Sequence, residues 1–141
     1  MSETIIRGDD YGIRRPLWIH TFVDGDGVAL DLTGMTIRTT YKTAALPAAT
    51  DPIDASAAIK HFIVIDGTGT VTDQDGLYLE TTAAAGILLE RLTKAETLAL
   101  SLVDELLHDI EVTDQNGEIS TVPFTDPLVA VDAYTNRTSD V

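Results

Sequence analysis

Residues Gly86 to Val122, GILLERLTKAETLALSLVDELLHDIEVTDQNGEISTV, decide the fold. They read as strand, short helix, strand, tight turn and strand. Thr93-Lys-Ala-Glu96 is a capping-box pattern, in which the Thr hydroxyl and the Glu carboxylate satisfy each other's backbone amides at a helix start. The spacing predicts a helix near 93–103, with Leu98 and Leu102 one turn apart and Leu92 anchoring the start. An apolar stripe of about two turns is too short to stand alone in water, so this helix must lie on something. A sheet follows at once. In Leu106-Leu-His-Asp-Ile-Glu-Val-Thr113, Ile110 and Val112 point one way, Asp109 and Glu111 the other. Asp114-Gln-Asn-Gly117 then signals a hairpin, Asn-Gly supplying the positive φ angles of a two-residue turn.

Working outward, the same grammar repeats. Leu17-Trp-Ile-His-Thr-Phe-Val23 is apolar on both parities, as in a strand covered on both faces. Asp24-Gly-Asp-Gly27 is a turn. Met35 to Thr43 alternates cleanly, with Met35, Ile37, Thr39 and Tyr41 facing a core and Thr36, Arg38, Thr40 and Lys42 facing water. Ala44 to Ala58 carries prolines and alanines but few large apolar side chains, and reads as a long contact loop. Ile59 to Ile65 is a strand, Asp66-Gly-Thr-Gly69 a turn, Thr70 to Thr72 a short extended piece, Asp73-Gln-Asp-Gly76 a second acidic turn and Leu77 to Thr82 a strand. Beyond the hairpin, Glu118 to Val122 and Leu128 to Asp132 are strands separated by a turn at Thr125-Asp-Pro127. Short strands with turns every ~8–12 residues and one short helix predict a mainly β fold, a single antiparallel β-sandwich. A single domain spans 1–141, with an N-terminal arm at 1–13 and a tail at 134–141.

Composition sets the class of partner. The 141 residues hold 9 Lys plus Arg against 23 Asp plus Glu, a formal charge of -14, so phosphates would be repelled and nucleic acid is excluded as a partner. The charge is also unevenly placed. Arg7, Arg14 and Arg15 crowd the first fifteen residues, whereas Ala95 to Asn136 contains no Lys or Arg. The basic arm and the acids Asp104, Glu105, Asp109 and Glu111 are therefore the candidate contact residues between subunits. The chain has 0 cysteines, which removes disulfides and thiolate chemistry. The first twenty residues lack the apolar run of an export signal, and no stretch reaches the ~20 apolar residues of a membrane span.

Motifs that carry chemistry are missing. Val28, Leu30 and Met35 occupy positions where a calcium loop opened by Asp24 needs oxygen ligands. His20, His61 and His108 lie far apart in sequence, each inside a strand, without the i, i+4 spacing of a zinc protease; His108 shares parity with Ile110 and Val112 and reads as a half-buried structural imidazole. Gly67-Thr-Gly69 lacks the lysine and helix of a phosphate loop, and no Gly-x-Ser-x-Gly elbow is present. The acids fall mostly in turns and on outward strand positions. The expectation is a protein without catalytic residues, cofactor or metal.

Asp31-Leu-Thr-Gly34 after an Asp-Gly turn, Gly86-Ile-Leu-Leu-Glu-Arg-Leu92, the Thr93 to Leu98 turn, His108-Asp-Ile-Glu-Val112 and the Gly hairpin with its closing strand together resemble the immunoglobulin-like domain of tailed-bacteriophage virion proteins, such as the N-terminal domain of the baseplate upper protein. The likeness covers roughly residues 17–135. It departs at His108, where the family has Tyr, and at Leu102-Val-Asp-Glu105, where the family has Gly. The resemblance implies an immunoglobulin-like sandwich and a non-enzymatic structural subunit of the virion, assembled in the bacterial host cytoplasm. Such a subunit would be present in several copies and would join or decorate tail or baseplate components. Two alternatives stand beside it: a capsid decoration (cement) protein, and a carbohydrate-binding adsorption module using Trp18 and exposed Tyr side chains.

Overall fold

The computed structural model describes residues 4–6, 10–12, 16, 18–43, 59–98 and 105–132, with backbone alone at 4, 6, 42–43, 98, 105–109 and 121–132. In chain order the strands are β1 (Thr4–Ile6), β2 (Trp18–Thr21), β3 (Thr36–Thr43), β4 (Ile59–Ile65), β5 (Val71–Asp75), β6 (Leu77–Leu79), β7 (Ile87–Glu90), β8 (Glu105–Thr113) and β9 (Ile119–Asp132). Among the described residues one α-helix, α1 (Lys94–Leu98), follows β7, and a 3-10 turn at Ala83–Ala85 precedes β7. A six-stranded sheet has the order β1-β9-β8-β3-β4-β5, and a three-stranded sheet the order β2-β7-β6. Neighbours are antiparallel except β1 and β9, which run parallel.

The alternation in β3 explains how the sheets face each other. Met35, Ile37, Thr39 and Tyr41 are all buried, while Arg38 between them is exposed. Ile37 joins Ile63, Ile65 and Ile110 of its own sheet to Phe22, Leu77 and Leu88 of the other in one apolar cluster. A second cluster holds Ile5, Tyr11, Tyr41, Ile59 and Leu92, with Trp18 against it. The fold is a mainly β, two-sheet sandwich, as the strand periodicity requires.

The turns share one construction. Asp24, Asp66 and Asp114 each use Oδ1 to accept the amides two and four residues on, at 2.8 and 3.0 Å in every case. The fourth residue, Gly27, Gly69 or Gly117, returns its amide to the Asp carbonyl at 3.0 to 3.1 Å. The 114–117 hairpin therefore closes between Asp114 and Glu118 around three residues, with the left-handed angle on Gly117 (φ 80°), and is not the two-residue Asn-Gly turn expected.

Other expectations also change. Asp73-Gln-Asp belongs to β5, and the chain bends at Gly76 (φ 79°), because here it leaves the large sheet for the small one. The two strands expected at 118–132 form one, β9; its prolines fall where the pairing with β8 slips between Leu107 and Asp109, so the extra residues bulge without a turn. Thr40, expected to be wet, is only 4% exposed, set between Lys60 of β4 and Asp109 of β8. Strand β2 is not covered on both faces. Ile19 is 59% exposed and Val23 52%, because the small sheet is an outer layer. The helix is described for Lys94–Leu98, and residues 99–104, where it was expected to continue, lie outside the described residues, as do the 44–58 loop and the tail.

Candidate functional site

Four strands repeat one local pattern, apolar, polar, apolar at every second residue: Trp18-His20-Phe22, Ile37-Thr39-Tyr41, Ile59-His61-Ile63 and Leu88-Glu90-Leu92. With side chains alternating by two, each polar member points where its apolar neighbours point, into the core. The two sheets stack these positions, so His20, Thr39, His61 and Glu90 make a polar layer between the two apolar clusters.

Glu90 on β7 is the centre, with its side chain 0% exposed. Its Oε1 accepts from His20 Nε2 at 2.8 Å; its Oε2 accepts from Thr39 Oγ1 at 2.7 Å and from His61 Nδ1 at 2.6 Å. The other His61 nitrogen, Nε2, donates to Glu96 Oε2 of α1 at 2.9 Å. An imidazole flanked by two carboxylates must donate from both nitrogens, and only the imidazolium can. The result is a chain of alternating carboxylates and histidine rings, Glu96, His61, Glu90 and His20, running from α1 through β4 and β7 to β2. Trp18 stacks on His20 at 6.4 Å, and Tyr41 meets the His61 ring edge-on at 6.3 Å.

The electrostatics agree with the geometry. Burial penalises the His61 cation, but hydrogen bonds to Glu90 and Glu96 and their charges outweigh it and raise its pKa to about 9. Burial likewise opposes the Glu90 anion, and the two histidines overcome this and hold its pKa at about 2. Glu96, partly desolvated, is also lowered by His61 and by the Thr93 amide. Tyr41 is pushed well above 10.0 by burial and by the Glu90 charge, so its phenol stays neutral.

The helix start is built as its sequence demands. Thr93 Oγ1 accepts the Glu96 amide at 3.2 Å, and Glu96 Oε1 accepts the Thr93 amide at 3.0 Å. Asp10 Oδ1 accepts the Lys94 amide at 2.6 Å. Tyr11 and Leu92 exchange backbone bonds of 2.8 and 2.9 Å, fixing where β7 hands over to α1. The Gly76 backbone lies flat against His61, and a Cβ there would overlap the imidazole ring.

Chemically, this chain can hold charge and pass protons. Its inner members are enclosed: the His61 and Glu90 side chains are 0% exposed, His20 6%, and Glu96 alone of the four reaches water, at 31%. Among the described residues no cluster of His, Asp and Glu has the geometry of a metal site. A groove of about 350 Å³ at β3 and β4 is lined by Arg38, Thr40, Lys60, His61, Phe62 and Asp75, and so borders one member of the chain. Its Arg38 is already taken by Glu111 at 3.4 Å.

The contact residues read from the sequence are placed only in part. Arg7, Arg14, Arg15 and Asp104 lie outside the described residues, and Glu105 and Asp109 are described as backbone positions of β8. Glu111 is half-buried with its carboxylate against Arg38 across the β3 pairing, so its charge is partly relieved. The acids Glu90 and Glu96 and the bases His20 and His61 were not singled out as a group. The available signal was a titratable residue on an apolar parity, present four times over if Thr39 is counted. The chain matches no protein-family model, and no curated protein matches it.

Proposed function

We propose that this protein is a non-enzymatic structural subunit of a tailed-bacteriophage virion, an immunoglobulin-like sandwich that joins or decorates tail or baseplate components by protein contacts. The observation that carries this reading is the strand order. A variable-type immunoglobulin sandwich sets C″, C′, C, F and G side by side in one sheet and B, E and D in the other. Here β5, β4, β3, β8 and β9 stand in the first order and β2, β7 and β6 in the second, each strand at its proper place along the chain. Helix α1 falls between the strands equivalent to E and F, where the virion-domain resemblance puts its Thr-initiated turn. The open face of the small sheet fits a contact role, with Ile19, Val23 and Val28 52 to 61% exposed. The basic arm at Arg7, Arg14 and Arg15 would meet the acidic 104–118 region of a neighbouring copy or protein.

Mass spectrometry of separated heads and tails from a phage encoding this chain tests the proposal. Recovery in tails supports it, recovery in heads transfers the chain to capsid decoration, and absence from both overturns a virion role. Within a virion, Arg14→Glu with Arg15→Glu should abolish incorporation while the isolated domain still folds. Unchanged incorporation refutes the charge-pairing arrangement.

A further inference from the structure

The buried chain has one end in water, and that end belongs to the helix. Glu96 serves two structures at once: Oε2 holds His61, while Oε1 holds the Thr93 amide and hydroxyl at 3.0 and 3.1 Å. Helix α1 has 5 residues, too few to persist without docking. Its docking involves Glu96, the Asp10 cap, the Leu92 anchor and the buried Thr97.

We propose that α1 is a proton-operated latch, closed on the sandwich while His61 carries both ring protons, and released from the sheets, with the sandwich still folded, when the Nε2 proton is lost.

The asymmetry of the two carboxylates decides which bond yields. Glu90 is wholly buried and cannot be left without its donors, so a neutral His61 keeps the Nδ1 proton, at 2.6 Å from Glu90. The proton given up to solvent is the one on Nε2. A ring lone pair then faces the Glu96 carboxylate, two acceptors oppose each other, and Glu96 turns to water. The groups around His61 are Glu90 from β7, Glu96 from α1, and Thr39 and Tyr41 from β3, with His20 from β2 beyond Glu90, and Arg38 of β3, Lys60 of β4 and Asp75 of β5 line the groove that His61 borders. Arg91, next along the chain, is turned to Tyr78, donating to its hydroxyl at 3.2 Å with the guanidinium 5.1 Å from the ring. With His61 raised to about 9, the latch is fully closed below pH 6.5 and weakens as pH rises towards 9.

Carbon-detected NMR of the full chain tests this, reading the His61 ring nitrogens together with the Glu96 and Thr97 backbone carbons. In the native protein the α1 signals should move to unstructured positions with the same midpoint at which Nε2 loses its proton, while Ile37 and Ile110 stay fixed. The Glu96→Gln variant keeps the capping box, since Gln also serves there. It should lower the affinity of His61 for its second proton at least about tenfold. It should also leave α1 docked at all pH values, because the Gln amide can turn to donate to the neutral ring. Two results overturn the latch: α1 signals that ignore His61 in the native protein, or an α1 transition retained at the native midpoint in the Gln variant.

Discussion

Replacing Glu90 by Gln should change the pH dependence of stability more than it changes the shape of the protein. The side chains are near-isosteric, but Gln brings no charge to a site where three donors meet one carboxylate. The size of the effect follows from His61. Its pKa rises from 6.5 to about 9 on folding. At about 1.4 kcal/mol per pH unit, that gap makes the charged ring worth about 3 kcal/mol to the fold. Because the folded value is the higher one, this stabilisation is fully present below pH 6.5 and is lost as pH rises through 9. Glu90 gives the acid limb: its folded pKa of about 2 lies below 4.5, so its contribution is present above pH 4.5 and lost as pH falls through 2. The two figures describe the same bonds from opposite sides and do not add. The alkaline limb is the cleaner one to measure, because the solvated carboxylates are all ionised above pH 6 and the self-repulsion of a chain of charge -14 hardly changes there. Urea unfolding should therefore show native stability falling by about 3 kcal/mol between pH 6 and pH 9. The Glu90→Gln variant should start about 3 kcal/mol lower at pH 6 and fall by less than half as much. Native stability that is flat over this range, or a variant that keeps the full slope, would refute the assignment of His61 as a buried cation.

Three further substitutions probe the supports of this layer. Gly76→Ala places a methyl against the His61 ring at a backbone with φ 79°, and should cost about 2–4 kcal/mol in urea unfolding and weaken the alkaline limb. Thr93→Ala removes one half of the capping box, and a loss of about 1 kcal/mol, read as a fall in Tm of about 2–4 °C, is expected. Ile19→Lys lies on the open face of the small sheet and should leave stability within about 0.5 kcal/mol; incorporation into particles is the readout that should suffer if this face is a contact.

The strands were legible because alternation is a local property. Ile37, Thr39 and Tyr41 declare the inner face of β3 without reference to any other part of the chain, and Thr93 with Glu96 declares the helix start. What the sequence concealed was pairing at long range. Nothing near His20 indicates Glu90, 70 positions away, or that His61 approaches the same carboxylate from the other sheet. The Asp114 turn was misread for a related reason: Asn-Gly is a two-residue signal only when no Asp ahead of it captures the amides, and here Asp114 does. The bend at Gly76 looked like another acidic turn, because the same four-residue spacing serves both a hairpin and a change of sheet. The open face of β2 was hidden too, since an apolar outward parity reads alike whether a neighbouring layer or a partner protein covers it.

Some two-sheet sandwiches, antibody domains among them, tie their sheets together with a disulfide beside a core tryptophan. This chain has 0 cysteines and puts charge between the sheets instead. Buried charge pairs are poor stabilisers when compared with apolar residues of similar size, because desolvation cancels most of their attraction. The triple variant His20→Leu, His61→Leu, Glu90→Leu should therefore be as stable as the native protein at pH 6, or more stable by about 1–4 kcal/mol, with no alkaline limb. It should also lose the dependence of α1 on pH, because a leucine in place of His61 would offer Glu96 no proton at any pH. That pair of results would mean that the polar layer gives the sandwich no net stability, and that what it supplies is the coupling of the helix to proton concentration. A triple variant less stable by more than about 3 kcal/mol would reverse the conclusion and make the layer the tie that holds the two sheets together.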